Sequence, residues 1–115
     1  MDEVLYDKWL TALESGEYLK GKGKLKEKIG GSYHYCCLGV LADIRGTLKR
    51  ENGLFFDTEQ RSYYFIGSIV DSVIQDKLSR INDNSETFDR VIEYIKDNKE
   101  FIFGQRKIEN TIFKY

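Results

Sequence analysis

The sequence predicts an α+β fold: three to four short helices and two small β-hairpins in a single compact domain over residues 1–115. Three observations lead there. Apolar residues recur at helical spacing in several separate segments. Two stretches read as strand pairs around the turn dipeptides Gly30-Gly31 and Asn52-Gly53. No repeated strand-helix-strand unit of the kind that builds a doubly wound sheet is present. At 115 residues, 41% apolar and 32% charged, the chain is long enough to bury one core and far from the composition of disorder.

Taken in order, residues 2–15 read as an amphipathic helix with Asp2 as cap, Leu5, Trp9, Leu10, Ala12 and Leu13 as its apolar stripe, and Gly16 past its end. From Lys20 to Lys28 every even position is lysine. That period of two predicts a strand from Gly23 to Ile29 with a lysine comb on one face, a Gly30-Gly31 turn and a return strand over SYHY. Cys37, Val40, Leu41 and Ile44 mark the stripe of a short buried helix ended by Gly46, in which Gly39 allows close packing. LKRE and LFFD flank Asn52-Gly53 as a second hairpin. A helix is expected from Gly67 to Ile81, lined by Val70, Val73, Ile74, Leu78 and Ile81, and broken by NDNS. Thr87 caps a last helix carrying Phe88, Val91, Ile92 and Ile95 to about Asp97. The C-terminal extension, residues 98–115, alternates weakly and fits either an extra strand pair or a packed tail.

The formal net charge of −1 excludes a global positive field, so bulk nucleic-acid binding is not expected and any anion site must be local. Cys36 and Cys37 are adjacent and poorly placed to bridge each other, which points to free thiols and a reducing cytoplasm. The start MDEVLYDKW has no secretory pattern, and no apolar run reaches membrane-spanning length. One histidine with two adjacent cysteines cannot furnish a zinc site, so no metal and no cofactor are expected. Asn82 to Glu93 imitates a calcium loop, but Thr87 stands where the sharp turn demands glycine.

Chemistry has few candidates. Cys36, with His34 two residues before it, is a candidate nucleophile at a helix start, but core packing is the default reading of both cysteines, Cys37 above all. No catalytic constellation follows, and the chain is not expected to be an enzyme. The KGKGK stretch offers glycine amides and lysine charge to a phosphate, although solvated lysines guarding an edge strand give the same pattern. Tyr18, Tyr33 and Tyr35, with Trp9 and also Tyr63 and Tyr64, offer faces on which a base can stack, although core packing explains most of them as well, and Asn82 and Asp83 can cap backbone or bond a ligand's hydroxyls.

The segments WxxALxSGxY from Trp9 to Tyr18, KGxGxL from Lys20 to Leu25, YCCLGVLAD from Tyr35 to Asp43 and LxxIND from Leu78 to Asp83 stand in a familiar order. Across residues 9–95 the chain resembles a family of small tailed-phage and prophage proteins, largely of unassigned function. It departs from that pattern in having Lys20 where glutamine is common and Ala42 where a third cysteine is common. The resemblance implies an accessory anti-defence protein in the bacterial cytoplasm, one that sequesters a nucleotide-derived signal or blocks a host protein.

On the first reading the partner is a phosphate-bearing small molecule, a cyclic nucleotide or an ADP-ribose derivative. Lys20, Lys22 and Lys24 hold its phosphates, Trp9, Tyr18 and Tyr35 supply ring faces, and Asn82 and Asp83 contact ribose or amide groups. A homo-oligomer is expected, since two small protomers enclose what one cannot. On the second reading a patch around Phe55, Phe56, Tyr63 and Tyr64 covers a host enzyme.

Overall fold

The computed structural model describes residues 1–103 of the chain. Asp2 caps the first helix, α1 (Glu3–Glu14), by accepting the Leu5 N–H at 2.8 Å. The capping bond satisfies an amide that the helix itself leaves open. The apolar side of α1 buries Tyr6, Trp9 and Leu13, and Gly16 turns the chain away with φ +76°. Strand β1 (Leu19–Lys20) pairs parallel to β3 (Ser32–Tyr35), and β2 (Lys26–Ile29) pairs antiparallel to β3, giving the order β1-β3-β2. Gly30 and Gly31, at φ +57° and +86°, make the tight turn expected between β2 and β3.

Strand β2 begins three residues later than its alternation implies. Leu25 is fully buried, donates its N–H to the Tyr63 carbonyl (2.8 Å) and accepts the Cys36 N–H (3.2 Å). The bond from Cys36, opposite in register, continues the hairpin, but the Leu25 N–H goes to Tyr63 instead of back to Cys36, and the ladder ends there. The lysine comb is therefore split: only Lys26 and Lys28 stand on β2, and Lys22 and Lys24 lie in the preceding bend.

Helix α2 (Cys37–Arg45) forms the centre of the molecule. Every residue from Cys37 to Ala42 is buried, so the helix is enclosed on all sides where a single apolar stripe was expected. Gly39 explains the closeness of fit: a Cβ there would lie 1.7 Å from the Leu25 carbonyl oxygen. The second hairpin, β4 (Leu48–Glu51) and β5 (Leu54–Asp57), turns through Asn52 (φ +53°) and Gly53 (φ +81°).

Helix α3 spans Ser72–Asp83, starting five residues later than the apolar spacing predicts. Asp71 caps it, and the preceding loop is held by Gln75, whose amide group accepts the Ile66 N–H and donates to the carbonyls of Ile66, Gly67 and Val70. The later start rotates Val73 off the buried side, leaving it 62% exposed. The expected Leu78 is buried, with Ile74 and Ile81 packed partly buried against the core, and the polar Gln75 and Asn82 join the buried side. Helix α4 (Asp89–Asp97) buries Val91 and Ile95 as expected. Residues Lys99–Phe103 form a further short helix, α5, with Ile102 buried, so over these residues the chain packs on the core, as a packed tail would, and makes no strand pair. The expectation for residues 104–115 lies outside the described residues. The architecture is thus α+β, with five helices, a three-stranded sheet and a two-stranded sheet among the described residues.

Candidate functional site

The structure disperses the residues that the sequence suggested as one site. Trp9 is fully buried and donates its indole N–H to the Cys37 carbonyl at 2.9 Å, so its ring is core and not a platform for a ligand. Asn82 is also fully buried. Its carbonyl oxygen accepts the Cys37 N–H (3.2 Å), while its amide nitrogen donates to the Gly21 carbonyl (2.9 Å) and to Asp83 Oδ1 (3.2 Å). Asp83 Oδ1 accepts the Gly23 N–H at 2.8 Å. A carboxylate of the chain itself thus occupies the glycine amide that a phosphate was expected to find, and Asn82 and Asp83 act as a clasp between α3 and the KGKGK loop. The neighbouring amides of Gly21 and Lys24 bond the Tyr35 and Lys22 carbonyls.

The three loop lysines diverge in role. Lys22 is exposed, Lys24 pairs with Glu27 at 3.2 Å, and Lys20 is half-buried. Burial, and then the charge of Lys22, lower the Lys20 pKa. Lys20 and Tyr18 do share a cleft of about 520 Å³ between the end of α1 and the start of α4. Glu14, Glu86 and Asp89 line the same cleft, so its balance is acidic and repels a phosphate. Tyr18 further commits its hydroxyl to Asp43 at 2.6 Å, and burial together with that bond raises its pKa.

Cysteine chemistry fares no better. Cys36 caps α2 by accepting the Gly39 N–H on its sulfur (3.4 Å). This bond and the Leu38 N–H favour the thiolate, but burial outweighs them and pushes the Cys36 pKa up to about 11. Burial likewise pushes the Cys37 thiol well above its ordinary value. A nucleophilic cysteine needs the opposite shift. His34 turns its Nδ1 to the Lys20 carbonyl at 3.3 Å. Among the described residues, no three His, Cys, Asp or Glu side chains gather where they could hold a metal ion.

A different constellation does converge. Antiparallel pairing sets Lys26 opposite Tyr35 and Lys28 opposite Tyr33, which places all four side chains on one face of the first hairpin. In the second hairpin Arg50 stands opposite Phe55. The hairpins meet edge to face through Tyr33 and Phe55, with ring centroids 5.6 Å apart.

Lys26 sits between them, its Nζ 4.5 Å from both centroids and 5.1 Å from that of Tyr35. Lys28 lies 5.8 Å from the Tyr33 ring and Arg50 lies 5.7 Å from the Phe55 ring. The neighbours follow as Lys28, Tyr33, Lys26, Phe55, Arg50, alternating cation and ring. None of the three cations pairs with a carboxylate among the described residues. Lys28, Arg50 and Tyr33 are exposed to solvent. Of the residues suggested by sequence as ring faces, Tyr33 stands in this row and Tyr35 borders it, its ring joining Tyr18 edge to face at 4.8 Å, while Phe55 enters from the patch suggested for a host protein.

The parity of the lysines against Tyr33 and Tyr35 was a readable signal, because a Gly-Gly turn fixes the register of the hairpin. Arg50 and Phe55 carried no such signal. Their place depends on how the second hairpin docks on the first.

No curated protein and no solved structure matches the chain. A family model described as a domain of unknown function (DUF8296) matches residues 1–77, a stretch that contains the whole cation and ring row and leaves out Asn82 and Asp83. The match covers well over half of the 115 residues, and the chain therefore belongs to the DUF8296 family.

Proposed function

We propose that the protein binds, without catalysis, an anionic ligand that carries an aromatic base, and that it does so on the row from Lys28 to Arg50. The observation that carries this reading is the alternation of three carboxylate-free cations with two rings across the hairpins. Phosphate oxygens match the ammonium and guanidinium groups, and a base edge or face matches exposed Tyr33 and the plane of Arg50. Sequestration of a nucleotide-derived signal in the cytoplasm of a phage-infected bacterium is the role we assign to such binding, on the strength of the resemblance to phage accessory proteins. A second copy of the chain would close the open face over a small ligand.

The test is a thermal-unfolding scan against cyclic dinucleotides, ADP-ribose derivatives and ordinary nucleotides. Saturation at ~100 times the dissociation constant adds about 2.7 kcal/mol, a rise of several degrees in midpoint. The rise is expected to shrink in Lys28→Ala and Arg50→Ala and to persist in Lys22→Ala. A rise that Lys22→Ala removes and Arg50→Ala leaves intact would return the site to the KGKGK loop.

A second reading, inhibition of a host protein, draws on a separate observation. Tyr63, Tyr64 and Phe65 are 42%, 48% and 38% exposed, a run of rings that single-residue surface scatter does not produce. Phe65 also walls a cleft of about 530 Å³ with Gln60, Asp71 and Asp76. The double variant Tyr63→Ser/Tyr64→Ser separates the readings. It keeps the nucleotide-induced rise under the first and removes the inhibitory effect without touching any nucleotide response under the second.

A further inference from the structure

Resting on the nucleotide-binding reading of the same row, we propose that its ligand class is single-stranded nucleic acid rather than a mononucleotide. A mononucleotide brings one base and one phosphate group, and so engages one ring and its flanking charges. The row offers more: Lys28, Tyr33, Lys26, Phe55 and Arg50 alternate charge and ring from one hairpin across to the other. A single strand alternates phosphate and base in the same way, so successive nucleotides meet successive partners. The row also lies open on strand faces, with Lys28, Tyr33 and Arg50 at the surface. An open track admits a chain that enters and leaves at both ends.

Duplex DNA fits less well, because its bases are stacked inside and unavailable to Tyr33. The overall charge of −1 does not oppose the assignment. Among the described residues the three cations lie in no ion pair, whereas acidic groups such as Glu14, Glu86 and Asp89 line a separate cleft between α1 and α4.

Fluorescence anisotropy of the full chain with a labelled oligothymidylate of about eight nucleotides, within the usual range of site sizes, tests this. Unlabelled thymidine monophosphate, duplex DNA and polyglutamate serve as competitors. The oligonucleotide is expected to bind at least roughly tenfold more tightly than the monophosphate. Its log affinity should fall with log salt at a slope of about −2, from ~0.7 for each of three phosphates engaged.

Arg50→Ala or Lys28→Ala should reduce the magnitude of that slope by about 0.7. Tyr33→Ala should weaken binding by roughly 5- to 100-fold at unchanged slope, and Tyr33→Phe should restore it. Monophosphate binding as tight as oligonucleotide binding, with both sensitive to Arg50→Ala, overturns the extended ligand and leaves the nucleotide reading standing. Binding of neither overturns the single-strand assignment, and overturns the nucleotide reading as well if cyclic dinucleotides and ADP-ribose derivatives also give no rise in unfolding midpoint. Equal competition by polyglutamate, with Tyr33→Ala silent, identifies an acidic protein segment as the ligand and overturns the proposal.

Discussion

Three residues show how tightly side-chain identity is tied to position in this molecule. Gly39 has the Leu25 backbone where any Cβ would stand, with the carbonyl carbon at 2.5 Å as well as the oxygen. Backbone cannot give way as a flexible side chain can. Gly39→Ala is therefore expected to destabilise the fold by at least ~3 kcal/mol, read as a lowered urea midpoint or a failure to fold. Asn82 answers buried backbone groups of two segments, the Cys37 N–H and the Gly21 carbonyl. Asn82→Ala leaves the Cys37 N–H unsatisfied and the Gly21 carbonyl with only the Lys20 ammonium at 3.5 Å, and is expected to cost about 1–3 kcal/mol by chemical denaturation.

The thiols impose a pH dependence whose sign can be worked out. Cys36 in the folded protein keeps its proton up to about pH 11, whereas the unfolded chain releases it near the ordinary thiol value of 9.0. Above pH 9 the folded state binds more protons, so stability is fully present below that point and declines as pH rises towards 11. The decline approaches roughly 1 kcal/mol per pH unit for this group. Cys36→Ala should flatten that limb, and a thiol reagent at pH 8 should label neither cysteine before unfolding.

Among the elements, the hairpins and the first and fourth helices could be read from the sequence because their determinants are local. Asp2 caps from three residues away, and Asn52-Gly53 adopts the positive φ angles that its composition favours. Gly53→Ala is accordingly expected to cost about 1 kcal/mol and to lower the midpoint by a few degrees, since the φ of +81° strains any Cβ. Helix α3 was misplaced because two of its buried positions are polar. Gln75 and Asn82 point inward to bond backbone, and a reading that counts only apolar side chains shifts the helix towards Gly67. The KGKGK stretch suggests a phosphate cradle, and Gly23-Lys24 the start of a strand, for a related reason: the Asp83 carboxylate that takes the Gly23 N–H lies 60 residues away in sequence. Long-range bonds of this kind leave no periodic trace.

At the scale of the whole molecule, charge is segregated. A chain with net charge −1 carries, where its hairpins meet, three cations among rings that pair with no carboxylate among the described residues, while Glu14, Glu86 and Asp89 gather in a cleft between α1 and α4. Local attraction for an anion is expected to weaken with salt, since exposed charges are screened over ~10 Å at 0.1 M.

Half of the candidate site was within reach of the sequence, in the pairing of Lys26 and Lys28 with Tyr35 and Tyr33. The half supplied by Arg50 and Phe55 required the docking of one hairpin on another. The most direct test of the account is a backbone amide NMR titration of the full chain with a nucleotide ligand. The account predicts that the largest shifts fall on Lys26 to Lys28, Tyr33 to Tyr35, Arg50 and Phe55. Shifts confined to Lys20 to Lys24 and the start of α4, or no shifts at saturating ligand, would contradict it.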